Sequence, residues 1–181
     1  MRGEETQVAG FLHGHPTFDG VLVMPVTQSK WAHISAAEIV SFQTFMTGEM
    51  YALLVQKSVL KHSVAVTGWD DAAFEAALSE AISRPESVAA KLFSLRAASL
   101  VGDQSEEVAR ARLSGLLIGL ELAATRPYWL GQNLTIVAAP EVGEIYAKAL
   151  GLQGLQVQVY DAQPMTRLGL IAAYNTMKGA T

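Results

Sequence analysis

From Leu134 onward the chain alternates two periods. The apolar run Leu134 to Ala138 is followed by the helical pattern Val142 to Leu150, and the run Val157 to Tyr160 by a second helical pattern, Met165 to Tyr174. A strand–helix–strand–helix order requires parallel pairing and a right-handed crossover, because a parallel partner is reached only through a connection long enough to hold a helix. No other feature narrows the fold as much: the chain belongs to the α/β class. At 181 residues, and about 150 residues per domain, one compact lobe is expected over residues 1–181.

The remainder reads as follows. Glu4 to Leu12 suits a short helix. The turn-rich His13-Gly14-His15-Pro16 leads to a buried strand at Val21 to Met24, which Pro25 ends, and a second strand is expected at Trp31 to Ser35 after the polar Thr27-Gln28-Ser29-Lys30. Glu38 to Met46 carries β-branched and aromatic residues, and Thr47-Gly48-Glu49 breaks it before a partly helical stretch in which Met50, Leu53 and Leu54 share a face. Asp70 to Leu100 is helical, with Phe74, Ala77, Leu78 and Ile82 on one side and a restart at Pro85. Asp103 and Glu106 form a capping-box-like start to a long helix with Leu113, Leu116, Leu117, Leu120 and Ala124 on one face, and Arg126-Pro127 ends it.

Composition removes several classes of function. Thirteen basic and seventeen acidic side chains give a net charge of −4 with no basic run, which excludes a nucleic-acid partner from the expectations. With no cysteine, disulfide frameworks, thiolate metal sites and cysteine nucleophiles fall away. Met1-Arg2-Gly3-Glu4-Glu5 puts charge where a signal peptide is apolar, and Leu113 to Ala124 contains Glu121 and is far shorter than the ~20 apolar residues that span a bilayer. A cytoplasmic location without membrane contact is expected. Only 17% of residues are charged, below the usual quarter, so some surface is expected to be covered by self-association, with Trp31, Trp69 or Trp129 as anchors.

Taken singly, the candidate sites are open to ordinary structural explanations. His13 and His15 lack the third and fourth ligands that a zinc site needs, so no metal site is expected and a solvated loop is the simpler assignment. Glu4 and Glu5 suit the positive end of a helix dipole. Thr27, Ser29 and Lys30 offer hydroxyls and an ammonium to a phosphate without forming a P-loop, and a plain hairpin loop would look the same.

Five segments taken together resemble the 2-dehydro-3-deoxygalactonokinase family of the actin-like ATPase and sugar kinase superfamily. They are Met1-Arg2-Gly3-Glu4-Glu5-Thr6-Gln7, Met24-Pro25-Val26-Thr27-Gln28-Ser29-Lys30-Trp31, Phe45-Met46-Thr47-Gly48-Glu49, Arg96-Ala97, and Ser114-Gly115-Leu116-Leu117-Ile118-Gly119 with Glu121. The resemblance covers the whole chain, but only the C-terminal part of such a kinase. It implies an RNase H-like lobe with a mixed sheet and a helical insertion from about Asp70 to Arg126. It also implies ATP and Mg²⁺ as cofactors, and phosphoryl transfer to the 6-hydroxyl of 2-dehydro-3-deoxy-D-galactonate. Glu4, with Glu5 as fallback, would be the proton acceptor. Thr27, Ser29 and Lys30 would hold phosphates, and Ala138, Ala139, Pro140 and Glu141 with Glu121 would lie near adenosine.

The sequence departs from the family pattern at three of these positions: Val26 replaces a hairpin glycine, Gln28 a histidine, and Ala139 a glycine of the adenosine turn. A Cβ at either glycine position is expected to hinder close approach or the required φ. The DxGxT-type phosphate loop of the family's first lobe does not occur in the chain. By itself the chain is therefore expected to be inactive, with an N-terminal lobe as the missing partner. The opposing expectation is a degenerate, non-catalytic lobe that dimerises or binds a partner.

Overall fold

The computed structural model describes Met1 and residues 3–179. In chain order the elements are α1 (Glu4–Gly14), β1 (Gly20–Met24), β2 (Ser29–Ser35), β3 (Glu38–Phe45), α2 (Thr47–Lys57), a 3₁₀ turn (Val59–His62), α3 (Asp71–Ser83), a 3₁₀ turn (Pro85–Ser87), α4 (Val88–Val101), α5 (Glu106–Ala124), α6 (Arg126–Trp129), β4 (Leu134–Ala138), α7 (Pro140–Gly151), β5 (Gln158–Asp161) and α8 (Ala162–Gly179). They form two compact units, one made of residues 1–44 with 128–181 and the other of residues 45–127.

The first unit is built on a five-stranded mixed sheet in the order β3-β2-β1-β4-β5. β1 and β2 pair antiparallel, with Met24 opposite Lys30 and Leu22 opposite Ala32. β1 and β4 pair parallel, as do β4 and β5. The predicted β4–α7–β5–α8 succession is present with its parallel pairing. β1 and β4 are buried at all five positions, as continuous apolar runs in a sheet covered on both faces should be. Strand alternation divides the side chains between the faces. Leu22, Met24, Ala32, Ile34 and Val137 meet Val8 and Phe11 of α1. The opposite face receives α7, where a Cβ added to Gly143 would press on Val159 and touch Ala138 and Ile136. α8 packs on α1 so closely that a Cβ at Gly10 would overlap the Met165 carbonyl, and one at Gly169 the Thr6 carbonyl.

The second unit is helical. Ala77 and Ala81 of α3, Val88 and Leu95 of α4, Leu113, Leu116 and Leu117 of α5, and Leu60 form its core, with Met50, Tyr51 and Leu54 of α2 packed against it. α5 is buried nearly all round, from Leu113 through Gly119 apart from Ser114, which marks a central helix and not an amphipathic surface one. Gly115 and Gly119, one turn apart, set its approach to α3. A Cβ at Gly119 would lie 2.7 Å from Ala81 Cβ and 2.7 Å from the Leu78 carbonyl oxygen.

Several local expectations need correction. The helical insertion starts before Asp70: β3 ends at Phe45, where Thr47-Gly48-Glu49 is expected to break the strand, and the same three residues open α2, with the Met50 amide bonded to the Met46 carbonyl. Asp103 does not cap α5. α4 ends on left-handed Gly102 and the Asp103 amide closes that turn onto the Ala98 carbonyl, so the cap passes to Ser105, whose hydroxyl accepts from the Val108 amide. Arg126-Pro127 begins α6, a position where proline's missing N–H costs nothing; α5 is closed instead by Thr125, whose amide and hydroxyl both donate to the Glu121 carbonyl. Trp31 and Trp129 are buried at 0% and 3% exposure and are core residues, not exposed anchors. His15 is not solvated loop: its ring stacks on Phe11 at 4.3 Å and its Nε2 lies 3.0 Å from the Tyr160 hydroxyl.

Candidate active site

Because β1 and β4 run parallel as neighbours, both end at the same edge of the sheet. β1 runs out into the exposed turn Val26-Thr27-Gln28, and β4 into Ala139 and the start of α7. The crevice beyond the carboxyl ends of parallel strands is where open α/β sheets bind ligands, since loops and helix N-termini converge there.

Glu4 stands at the head of α1, on the sheet face that α1 covers. The helix entry depends on Gly3, whose φ of 107° is a left-handed value that a side chain would strain, although the space around its Cβ position is open. The Glu5 carboxylate accepts from the Gly3 amide at 3.0 Å. Lys30 stands opposite Met24 and reaches the same face as α1. Its Nζ lies 2.5 Å from Glu4 Oε1 and donates to the Gln28 carbonyl at 2.8 Å, the two side chains being only 7% and 12% exposed. Ser29, one residue earlier, points to the opposite face by strand alternation. Its Oγ is 3.1 Å from the Tyr146 hydroxyl of α7, and the residue is fully buried. Of the three side chains expected at phosphate, Thr27 is exposed, Lys30 is paired with Glu4, and Ser29 fastens the turn to α7.

The turn expected near adenosine is exposed from Ala139 through Glu141, whereas Ala138 is buried. Ala139 is the N-cap of α7 at φ −62°, ψ 144°, an ordinary extended conformation, and no side chain caps the helix, so first-turn amides face outward there. The expected backbone conflict at Val26 and Ala139 does not arise. Among the described residues only Ala36 and Ala37 combine a side chain with positive φ, so what either substitution adds is bulk alone. Val26 is 39% exposed on its turn.

Glu121 belongs to the other unit. It is 2% exposed, and its Oε2 accepts a short hydrogen bond from the Thr47 hydroxyl, which joins α5 to the first turn of α2. Two residues of the sheet unit were not among the expected site residues: Tyr146 and Gln7. Tyr146 is recognisable only through a contact 117 residues distant. Gln7 lies one turn after Glu4, and its Oε1 is buried with no hydrogen-bond partner, an uncommon state for a buried acceptor. Glu4 and Gln7 at i and i+3 on one helix were a pattern available in the sequence. No group of three or more His, Cys, Asp or Glu side chains that could hold a metal occurs among the described residues.

The family model described as 2-keto-3-deoxy-galactonokinase matches residues 1–173. The "Probable 2-dehydro-3-deoxygalactonokinase DgoK1" of Rhizobium meliloti (strain 1021) is 38% identical over 178 residues, which cover 96% of this chain and 58% of that protein. The 2-dehydro-3-deoxygalactonokinase of Escherichia coli (strain K12) is 35% identical over 158 residues, covering 87% and 53%. A crystal structure described as that of a 2-dehydro-3-deoxygalactonokinase protein from Sinorhizobium meliloti superposes with a TM-score of 0.91 at 36% identity, over 98% of this chain and 60% of that one. The chain thus spans just over half the length of the curated relatives it matches. With nearly every residue inside one family model, and relatives of more than 35% identity in sequence and structure, this chain belongs to the 2-keto-3-deoxy-galactonokinase family.

Proposed function

We propose that the chain forms the C-terminal, RNase H-like lobe of an actin-like ATPase-type sugar-acid kinase, which transfers the terminal phosphoryl group of ATP to the 6-hydroxyl of 2-dehydro-3-deoxy-D-galactonate in the cytoplasm. The observation that carries this is the convergence of Glu4, the β1–β2 turn and the α7 N-terminus at the carboxyl edge of β1 and β4. In this role the Glu4 carboxylate accepts the proton of the attacking hydroxyl, Thr27 and the backbone of its turn hold phosphate, and residues 138–141 border adenosine. ATP supplies the phosphoryl group, and Mg²⁺, carried on its phosphates, neutralises charge there. The chain's own part is orientation and proton acceptance, because phosphoryl transfer depends mostly on positioning and fixed charge. Gln7 Oε1, a buried acceptor one turn beyond Glu4, suits a hydroxyl of a polyhydroxy acid. Transfer also needs the second lobe across the cleft, which binds ATP through a phosphate loop this chain does not contain.

Val26, with a half-exposed side chain where the family turn has glycine, favours a second reading, a lobe that has lost nucleotide and serves association. Isothermal titration with Mg-ATP, with and without an added N-terminal lobe, separates the two. Saturable binding once that lobe is present supports the kinase lobe; absent binding even then, together with mass of the chain that grows with concentration in light scattering, supports the second.

A further inference from the structure

We infer that Lys30 serves Glu4 and not the phosphates: its ammonium is a positioning group that ties the acid at the head of α1 to the backbone of the β1–β2 turn. The inference rests on Glu4 being the proton acceptor. Strand alternation turns Lys30 onto the α1 face and Ser29 onto the α7 face, so the residue that looks like a phosphate ligand in the sequence Thr27-Gln28-Ser29-Lys30 is aimed at a carboxylate. The ammonium has three hydrogens, and two acceptors are already in place, Glu4 Oε1 at 2.5 Å and the Gln28 carbonyl at 2.8 Å. Both side chains are close to buried, at 7% and 12% exposure. A phosphate that took the third hydrogen would stand beside the Glu4 carboxylate, one anion against another.

Such a bridge has two consequences. A cation in contact with Glu4 keeps it in the carboxylate form that can accept a proton, while lowering its basicity; a loose phosphoryl-transfer transition state asks little of the base until late. The bond from the same ammonium to the Gln28 carbonyl also ties the acid to a fixed point of the backbone.

The test uses the 181-residue chain with Lys30→Met and Lys30→Arg, following the Glu4 carboxyl carbon by NMR across pH and Mg-ATP affinity by calorimetry. In Lys30→Met the Glu4 titration should move to higher pH, Lys30→Arg should restore most of it, and Mg-ATP affinity should stay within about threefold of the parent, since no charged phosphate contact worth tenfold or more is removed. An unmoved Glu4 titration, or a loss of about tenfold or more in Mg-ATP affinity on Lys30→Met, overturns the inference. If the parent binds no Mg-ATP, the affinities are read with an N-terminal lobe joined to it; no binding there overturns the kinase-lobe reading, and the Glu4 titration still decides the role of Lys30. Should Lys30→Met not fold, Glu4→Gln replaces it: a displaced Lys30 ¹⁵Nζ resonance supports the pairing, and an unchanged one overturns it.

Discussion

Gln7 buries an acceptor, its Oε1, that has no hydrogen-bond partner. A buried acceptor without a partner costs about 1–3 kcal/mol relative to a satisfied one, so Gln7→Leu should leave stability unchanged or raise it by up to about 1 kcal/mol in urea unfolding. A drop beyond 1 kcal/mol would mean that the amide already has a partner. Ala139 gives a second prediction at this scale. At φ −62° it needs no glycine, so Ala139→Gly should gain nothing in backbone geometry and cost about 0.4–1 kcal/mol through added freedom of the unfolded chain. Thermal unfolding checks this, and a stabilised variant would show strain where none is seen. Glu4 comes from the family resemblance and not from any local signal, and Ser29 and Lys30, which adjoin in sequence, are sent to opposite faces by the period of a strand. Tyr146 carries no local signal, since one aromatic on a buried helix face looks like any core residue.

Among the elements, α5 shows how a family motif can be about packing. Ser114-Gly115-Leu116-Leu117-Ile118-Gly119 is one of the segments that carry the family resemblance, and its glycines lie where α3 comes closest. Gly119→Val should therefore overpack this contact and cost about 1–3 kcal/mol, lowering the urea midpoint with an unchanged slope. A near-neutral variant would mean that α3 can move aside freely. Tyr51 of α2 gives the unit a pH dependence. Burial pushes its phenol above the ordinary value near 10, against the opposing pull of the Arg110 guanidinium and a hydrogen bond with Ser114. The stability carried by the neutral phenol is thus complete below about pH 10 and declines as pH rises from there toward the raised value. Tyr51→Phe should flatten that alkaline decline in urea titrations, and an identical slope would assign it to other groups. Continuous apolar runs made β1 and β4 readable, and the two-period tail made their parallel partner readable. The start of α5 was not, because Asp103 and Ser105 are equally good caps and only the left-handed turn at Gly102 decides between them.

On the scale of the whole molecule, the sheet unit gathers Glu4, the β1–β2 turn and the α7 N-terminus, while Glu121 and Thr47 belong to the helical unit. Sequence resemblance grouped Glu121 with residues 138–141 as one adenosine site, but a 2% exposed carboxylate bonded to Thr47 also performs a task internal to its own unit. The distinction was invisible in the sequence because it depends on α2 and α5 meeting 74 residues apart. The decisive measurement joins to this chain the part of the Rhizobium meliloti relative that it does not match, and follows ATP-dependent phosphorylation of 2-dehydro-3-deoxygalactonate in the parent and in Glu4→Gln. Turnover is expected in the joined parent and not in the chain alone. Glu4→Gln should lower the rate by about 10²–10⁴ while Mg-ATP affinity stays close to the parent's. A Glu4→Gln protein that keeps most of its rate would contradict the assignment of Glu4 as proton acceptor.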